Sequence, residues 1–242
     1  MAWLKNKNRA MVHRSMIFIW IVCCGISCNQ ESEIDSNWKE YYLPIDLLSR
    51  ADLMYEYRYI GSQDSPFYWY HQLVSDTILV SEQLDPTGEI LVENRERLLP
   101  DGVILLQQTV TERDTVTDQR VSTNFDILAD DLFSFEPLDS SLVLTNEVLF
   151  TSKVYPGQNT TITKKRQYIG DTLVTFKGET YPAIQFSLEE HYDIEEVGHL
   201  EFDVLGQETY ALGLGLFAST KKLEGGAEIA FILHNYELVE KD

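Results

Sequence analysis

The sequence predicts an all-β domain: a strongly curved antiparallel sheet, forming a half-barrel or partly open barrel, with at most one or two short helices. Aromatic and β-branched residues recur with a period of two, as in the runs Leu53–Ile60 and Phe67–Val74. Turn signals such as Asp85-Pro86-Thr87-Gly88 separate these runs, and no long helical pattern lies between them. A pair of closely spaced glycines near the end of the chain predicts the curvature.

The chain begins with a basic segment followed by a short apolar one. The basic residues are Lys5, Lys7, Arg9 and Arg14. The apolar run from residue 16 to residue 27 is shorter than the ~20 residues that a membrane-spanning helix needs. This arrangement predicts an export signal.

The run Gly25-Ile26-Ser27-Cys28 resembles the lipobox of bacterial lipoproteins, although Gly25 stands where leucine is usual. The resemblance implies that a signal peptide, residues 1–27, is removed and that Cys28 is acylated. An uncleaved membrane anchor and ordinary secretion are the alternatives. Residues 28–38 are then an acidic tether, which resembles the signals that send Bacteroidota lipoproteins to the outer-membrane surface. Residues 39–242 form one all-β domain.

Composition narrows the classes of function. The chain has 19 Lys and Arg against 39 Asp and Glu. Loss of the four signal-peptide cations leaves 15 against 39, a net charge of −24. Such a surface repels nucleic acid and anionic headgroups, so we expect no nucleic-acid partner and membrane attachment through the acyl chains on Cys28. The other cysteines are Cys23 and Cys24, so the mature domain has no disulfide and no thiolate metal site.

Two regions are less regular than the strand-like runs. We expect a single helical piece within Pro44–Leu53, and a short helix or a covering loop within Asp126–Leu144. Gly170-Asp171 and Gly206 are interpreted as turns between strands.

The stretch Tyr210–Thr220, "YALGLGLFAST", places Gly213 and Gly215 inside a predicted strand. The spacing also fits a loose dinucleotide-binding fingerprint. That fold needs a helix and a parallel strand after the loop, a unit of ~30 residues, and only 24 residues follow Ala218. Two hypotheses remain: a point where the sheet bends or another element approaches closely, and the floor of a ligand groove with Tyr68 and Tyr70 nearby.

The last 70 residues or so carry a resemblance. "TFKGETYPAIQFSLEE" followed by "YALGLGLFASTKKLEGGAEIAFILHNYEL" resembles the ending of uncharacterised Bacteroidota outer-membrane lipoproteins that have a strongly curved, half-barrel β fold. Periplasmic lipoprotein carriers are a more distant architectural relative. The resemblance implies a fold and transfers no catalytic residue. Leu212 and Phe217 depart from its usual pattern.

One cluster suggests a metal. In "EEHYDIEEVGHLEFD", Glu189, His191, His199 and Glu201 alternate along two strands joined by a hairpin near Glu195–Gly198. Imidazole and carboxylate groups suit Zn²⁺ or a similar cation. The clean alternation with apolar residues favours the other interpretation, a solvated outer face. His71, within "FYWYHQ", is interpreted as a histidine at the edge of the core.

Three Asp-Thr pairs suggest modification. Thr77, Thr115 and Thr172 each follow an aspartate and precede an apolar residue, which resembles Bacteroidota O-glycosylation sites. The alternative is that Asp-Thr ends a turn before a strand.

Together these observations predict a non-enzymatic, lipid-anchored outer-membrane protein that faces the periplasm or the cell surface. We expect it to bind or carry an apolar or lipid-like ligand without a cofactor. A structural or interaction subunit of an outer-membrane assembly is the alternative. A metal-dependent enzyme is the third and least favoured hypothesis. Common catalytic motifs such as His-Glu-x-x-His and Gly-x-Ser-x-Gly are missing from the sequence.

Overall fold

A computed structural model describes residues 37–61, 65–155, 157–196, 198–223 and 225–241. The predicted signal peptide, Cys28 and residues 28–36 of the predicted tether lie outside the described residues. The described residues belong to one compact unit.

The described residues form two short helices and one sheet, which confirms the predicted all-β class. Every pair of neighbouring strands is antiparallel. The elements are α1 Lys39–Tyr42, α2 Ile45–Leu48, β1 Asp52–Tyr59, β2 Phe67–Ser75, β3 Ile78–Leu84, β4 Ile90–Leu98, β5 Gly102–Arg113, β6 Arg120–Asn124, β7 Asp126–Ser134, β8 Val143–Thr151, β9 Asn159–Phe176, β10 Glu179–Glu195, β11 His199–Ala211, β12 Gly215–Lys222 and β13 Glu228–Val239.

The sheet curves into a barrel. The strand order is β4-β3-β2-β1-β13-β12-β11-β10-β9-β8-β7-β5-β6, and β4 also pairs with β5. Twelve of the described strands therefore form a ring, and β6 lies beside the far end of β5. The seam is narrow, because β5 and β7 pair only over Gly102–Ile104. At Gly102 an added Cβ would lie 2.5 Å from the carbonyl oxygen of Phe133, so only glycine allows this approach.

Three predicted boundaries were wrong. Gly170-Asp171 is not a turn, because β9 runs through it with a bulge at Gly170, where φ is 148°. Gly206 lies inside β11, where an added Cβ would lie 2.2 Å from the carbonyl oxygen of Thr220. The first nine residues of Asp126–Leu144 form a strand, β7, and a loop follows it, so only the second part agrees with the predicted loop. At Gly170 and Gly206 the glycine imitates a turn, but the strand pairing continues through it.

The N-terminal segment closes one end of the barrel. This segment, residues 38–48, contains both helices, and we call it the plug. The backbone N–H of Trp38 donates to the carbonyl oxygen of Phe135, 2.6 Å away, and the N–H of Gly213 donates to that of Glu40, 2.9 Å away. Leu48 is fully buried, a burial worth about 1.5–3 kcal/mol. The helical piece predicted within Pro44–Leu53 is confirmed as α2.

The hydrophobic core lies beneath the plug. Trp38 contacts Tyr168 and Phe186, with ring centroids 4.9 and 5.8 Å apart. The buried side chains of Leu53 and Tyr55 belong to the same cluster. The apolar packing is therefore concentrated at the plugged end, which leaves the rest of the barrel interior for other side chains. None of the described helices is long and apolar enough to cross a membrane.

Candidate functional site: the barrel lumen

A cavity of about 560 Å³ lies inside the barrel, and we call it the lumen. A smaller cavity of about 140 Å³, the inner pocket, adjoins it on the side of the plug. The two share the lining residues Trp69, Asn94, Leu132, Arg166, Tyr210 and Leu216. The two cavities are therefore adjacent, and the inner pocket lies against the plug residues Tyr42 and Leu43.

The lumen reaches solvent at the end away from the plug. Ile229 lines the lumen and is 42% exposed. Phe67 and Phe231 pack edge to face nearby, with ring centroids 5.1 Å apart. Val92, Val148 and Ile162 add further apolar surface to the lumen. This end, which we call the mouth, is thus lined mainly by apolar and aromatic groups.

Alternation along the long strands brings charged side chains into the lumen. On β9, Ile162, Lys164 and Arg166 line the lumen, whereas the intervening Lys165 faces solvent. On β10, Glu190 lies directly opposite Lys164. Because side chains alternate across a strand, a charge two residues from an inward apolar residue also points inward.

Five of these side chains form an ionic network. Glu208 accepts hydrogen bonds from Lys164 Nζ and Arg166 Nε, each at 2.7 Å. Glu190 accepts from Lys221 Nζ at 2.8 and 2.9 Å and lies 3.5 Å from Lys164 Nζ. Lys164 thus bridges the two carboxylates. We call these five residues the lumen charge cluster.

The pKa values of the cluster follow from burial and charge. Burial alone would raise the pKa of Glu208, but the Arg166 and Lys164 charges hold it far below its usual range. In the same way Lys164 and Lys221 outweigh burial and lower the pKa of Glu190. Both carboxylates are therefore ionised at neutral pH. Burial and the neighbouring Arg166 lower the pKa of the Lys164 ammonium.

The inner pocket holds a second buried carboxyl. Tyr42 Oη, from the plug, donates to Glu96 Oε2 at 2.7 Å. Burial raises the pKa of Glu96 to about 7, although Tyr42 and Arg166 both act to lower it. His71 is also buried here, with Nδ1 2.9 Å from Ser81 Oγ, and burial lowers its pKa to about 3. This position, buried but lining a cavity, agrees with its predicted place at the edge of the core.

Comparison with known proteins supports the fold. No family model matches the sequence, and the curated proteins contain no match. A solved lipoprotein from Parabacteroides distasonis matches with a TM-score of 0.52 and 11% identity, over 81% of this chain and 98% of that one. The chain shares the fold of this lipoprotein.

Two further solved structures match less well. An exported protein from Bacteroides fragilis, described as having a YmcC-like fold, has a TM-score of 0.49 and 11% identity, over 78% of this chain and 96% of that one. The lipoprotein YmcC from Escherichia coli has a TM-score of 0.36 and 10% identity, over 79% and 88%. The predicted likeness to exported lipoproteins with a curved β fold rests on the Parabacteroides structure and is confirmed for the fold.

The glycines predicted for a ligand groove lie elsewhere. Gly213 lies in the turn between β11 and β12, and Gly215 is the first residue of β12, with φ of 72° and 75°. An added Cβ on Gly215 would lie 2.8 Å from the carbonyl oxygen of Tyr42, whereas one on Gly213 meets no atom within 4 Å. Gly215 thus allows the plug to approach the barrel wall, which agrees with the alternative hypothesis of a close approach.

The tyrosines of the same prediction point away from the lumen. Phe67, Trp69 and His71 on β2 face the interior, so Tyr68 and Tyr70 lie on the opposite face of this strand. Tyr70 Oη donates to Asp52 Oδ2 at 2.5 Å. The residues of β2 that line the interior are therefore the ones adjacent in sequence to the predicted Tyr68 and Tyr70.

The predicted metal ligands are only partly brought together. Asp193, His199 and Glu201 place one ligand atom each within 4.8 Å of one another. His191 pairs instead with Asp203 at 2.8 Å, and Glu189 with Lys165 at 3.0 Å. All of these groups are on the outer face, where His199 and Glu201 are exposed, whereas Asp193 is half-buried and its Oδ1 is shielded from solvent. His199 pairs with both Asp193 and Glu201, and metal binding by this group stays a prediction.

The threonines predicted for glycosylation differ in setting. Thr77 lies exposed in the turn between β2 and β3, and Thr115 lies exposed in the loop after β5. Thr172 lies within β9 and is half-buried, so the turn expected there is not formed. Two of the three hydroxyls are therefore accessible to a modifying enzyme.

Sequence reasoning missed the lumen charge cluster. The available signal was a charged residue in phase with buried apolar ones, as Glu190 is with Phe186 and Leu188. The same phase relates Glu208 to Tyr210.

Proposed function

We propose that this protein is a non-enzymatic binding or carrier module, held at the outer membrane by acyl chains on Cys28, whose lumen takes up an apolar or lipid-like ligand. The observation that carries the proposal is the lumen itself. Its volume of about 560 Å³ falls within the ~300–1,000 Å³ of small-molecule pockets. Its mouth is apolar, as a site for a hydrocarbon chain requires.

The position of the tether supports this arrangement. The plug begins at Trp38, so a lipid on Cys28 attaches to the chain ten residues before the closed end of the barrel. Ten residues span at most about 36 Å when fully extended. A lipid on Cys28 would therefore be joined to the barrel through the plug.

The test is native mass spectrometry of the chain from Asn29 onward, purified without detergent, with organic extraction of what copurifies. We expect a stoichiometric small-molecule adduct, or one that forms when a single-chain amphiphile is added. Ile162→Trp, which fills the lumen, should abolish the adduct. Thr163→Trp, the next residue on the outer face, should retain it.

A bare mass that stays bare after amphiphile is added would contradict the proposal and favour the alternative of a structural subunit in an envelope assembly. A metal adduct that is lost in the double variant His199→Gln, Glu201→Gln would instead favour the hypothesis of a metal site on the outer hairpin between β10 and β11.

A further inference from the structure

The lumen charge cluster has more positive than negative groups. Within the cluster, Lys164, Arg166 and Lys221 contribute three positive charges and Glu190 and Glu208 two negative ones. Their net charge is +1, before the partly ionised Glu96 of the adjoining inner pocket is counted. This excess lies inside a chain whose formal net charge is −20. A charge that is not neutralised in a buried site is costly, and an anion placed beside it offsets that cost.

A ligand that enters the lumen can reach the positive charge of Lys221. Lys221 lines the lumen, and its side chain is 30% exposed, so a molecule entering from the mouth can reach it. An ammonium has three N–H donors, and among the described residues Lys221 donates only to the two oxygens of Glu190. Lys164 is also 21% exposed and lies 3.5 Å from the same carboxylate.

The apolar mouth supplies the other half of the site. Ile162 lies two residues from Lys164 on β9, towards the mouth, and Ile229 lies at the mouth on β13, opposite Lys221. A molecule with its head at the cluster therefore places its chain against apolar side chains.

We propose, on the basis of the proposed function, that the ligand is an amphiphile with one hydrocarbon chain and an anionic head. The head, a carboxylate or a phosphate, binds Lys221 and Lys164, and the chain lies along the apolar mouth. The volume of the lumen, about 560 Å³, suits one chain rather than several.

The test is isothermal titration of the chain from Asn29 onward with three probes of equal chain length: dodecanoate, dodecyl phosphate and 1-dodecanol. We expect an anionic probe to bind about tenfold or more tightly than dodecanol, as one charge-assisted contact requires. Preference for dodecanoate indicates a fatty-acid-like ligand, and preference for dodecyl phosphate indicates a phospholipid-like one.

Neighbouring lysines provide matched controls. Lys221→Gln should weaken binding of the anionic probe about tenfold and leave dodecanol binding unchanged. Lys222→Gln, one residue away and exposed, should change neither. Glu190→Gln should instead strengthen anion binding, because it frees Lys221, whereas Lys164 keeps its hydrogen bond to Glu208. Dodecanol binding by each variant reports that the barrel is folded.

The outcomes separate the two proposals. Equal binding of all three probes would overturn anion recognition and leave the binding module intact. Equal losses of anion binding in Lys221→Gln and Lys222→Gln would also overturn it. No binding of any probe by the unaltered chain would contradict the proposed function as well.

Discussion

The inner and outer faces of β9–β11 carry the same types of charged residue under opposite conditions. Inside, Arg166 and Glu208 have side chains that are 9% and 4% exposed and lie 2.7 Å apart. Outside, Lys165 and Glu189 lie 3.0 Å apart, with side chains 45% and 48% exposed. The distances are similar, but water surrounds only the outer pair.

This difference decides what each face can do. Outer pairs are screened by solvent, contribute about 0–1 kcal/mol and have little power to select a ligand. Inner charges lie in a medium of lower dielectric, where each must be compensated by a partner. The inner face should therefore be destabilised by single substitutions, and it can recognise a charged molecule. The comparison can be tested by measuring both stability and binding.

The largest effect should come from breaking the inner network. Arg166→Met leaves Glu208 buried with Lys164 as its one remaining cationic partner, and we expect a loss of about 3–5 kcal/mol in the free energy of unfolding, measured by urea denaturation. Lys165→Met, the adjacent outer residue, should change it by less than about 0.5 kcal/mol. Equal effects for the two variants would remove the distinction between the faces.

The next effect concerns pH. Glu96 has a pKa of about 7 in the folded protein, raised from 4.5. Its stabilising contribution is therefore fully present below pH 4.5 and is lost as the pH rises through 7. The groups that line the pocket around it are Tyr42, Tyr57, His71, Arg166 and Tyr210.

Glu96→Gln removes this titration. We expect the stability of the variant relative to the unaltered chain to increase by about 3 kcal/mol between about pH 4.5 and 8, at 1.36 kcal/mol per pKa unit. Tyr42→Phe removes a hydrogen bond that lowers the pKa of Glu96. The pKa of Glu96 should therefore rise further in this variant, and its loss of stability with increasing pH should continue to higher pH. A difference that is constant with pH would contradict the assignment.

A third effect isolates the contact between plug and barrel. Gly213→Ala and Gly215→Ala both place alanine at positive φ, a strain of about 1–2 kcal/mol. Only the Cβ of Gly215→Ala also collides with the carbonyl oxygen of Tyr42. This variant should therefore lose about 1–3 kcal/mol more of the free energy of unfolding than Gly213→Ala. Thermal unfolding of the two variants measures this excess, and equal midpoints would show that the plug does not press on Gly215.

The smallest effect should be on the outer hairpin. The His199 hydrogen bond to Glu201 raises the pKa of this exposed imidazole. Because the pair is solvated, His199→Gln should leave the thermal midpoint unchanged within error at pH 7. A clear loss of stability, or one that appears only with added Zn²⁺, would show that the outer face holds an organised site.

These faces also show what the sequence can predict. Alternation in "EEHYDIEEVGHLEFD" correctly placed Glu189 and His191 on a solvated face. The same alternation placed Glu190 inside, but hydrophobicity alone gave no reason to expect a carboxylate there. Its neutralising partners, Lys164 and Lys221, are 26 and 31 residues away in the chain. Only the strand pairing shows that they meet.

The plug was predictable in part. The helical piece could be seen in the sequence, but its packing against Gly215 joins residues more than 170 positions apart. A glycine pair alone cannot distinguish a bend in a strand from a turn that receives another segment. The curved sheet was predicted because its cause, repeated period-two runs with turn signals, is local.

The most direct test of a ligand-binding lumen uses its own tryptophan. From Asn29 onward the chain has two tryptophans, Trp69 in the lumen and Trp38 buried in the plug. A bromine-labelled dodecanoate quenches emission from indole groups that it touches. With Trp38→Phe, emission from Trp69 should fall saturably at one probe per chain. With Trp69→Phe, emission from Trp38 should stay constant. Unquenched Trp69 at saturating probe, or equal quenching of both, would contradict a ligand inside the barrel.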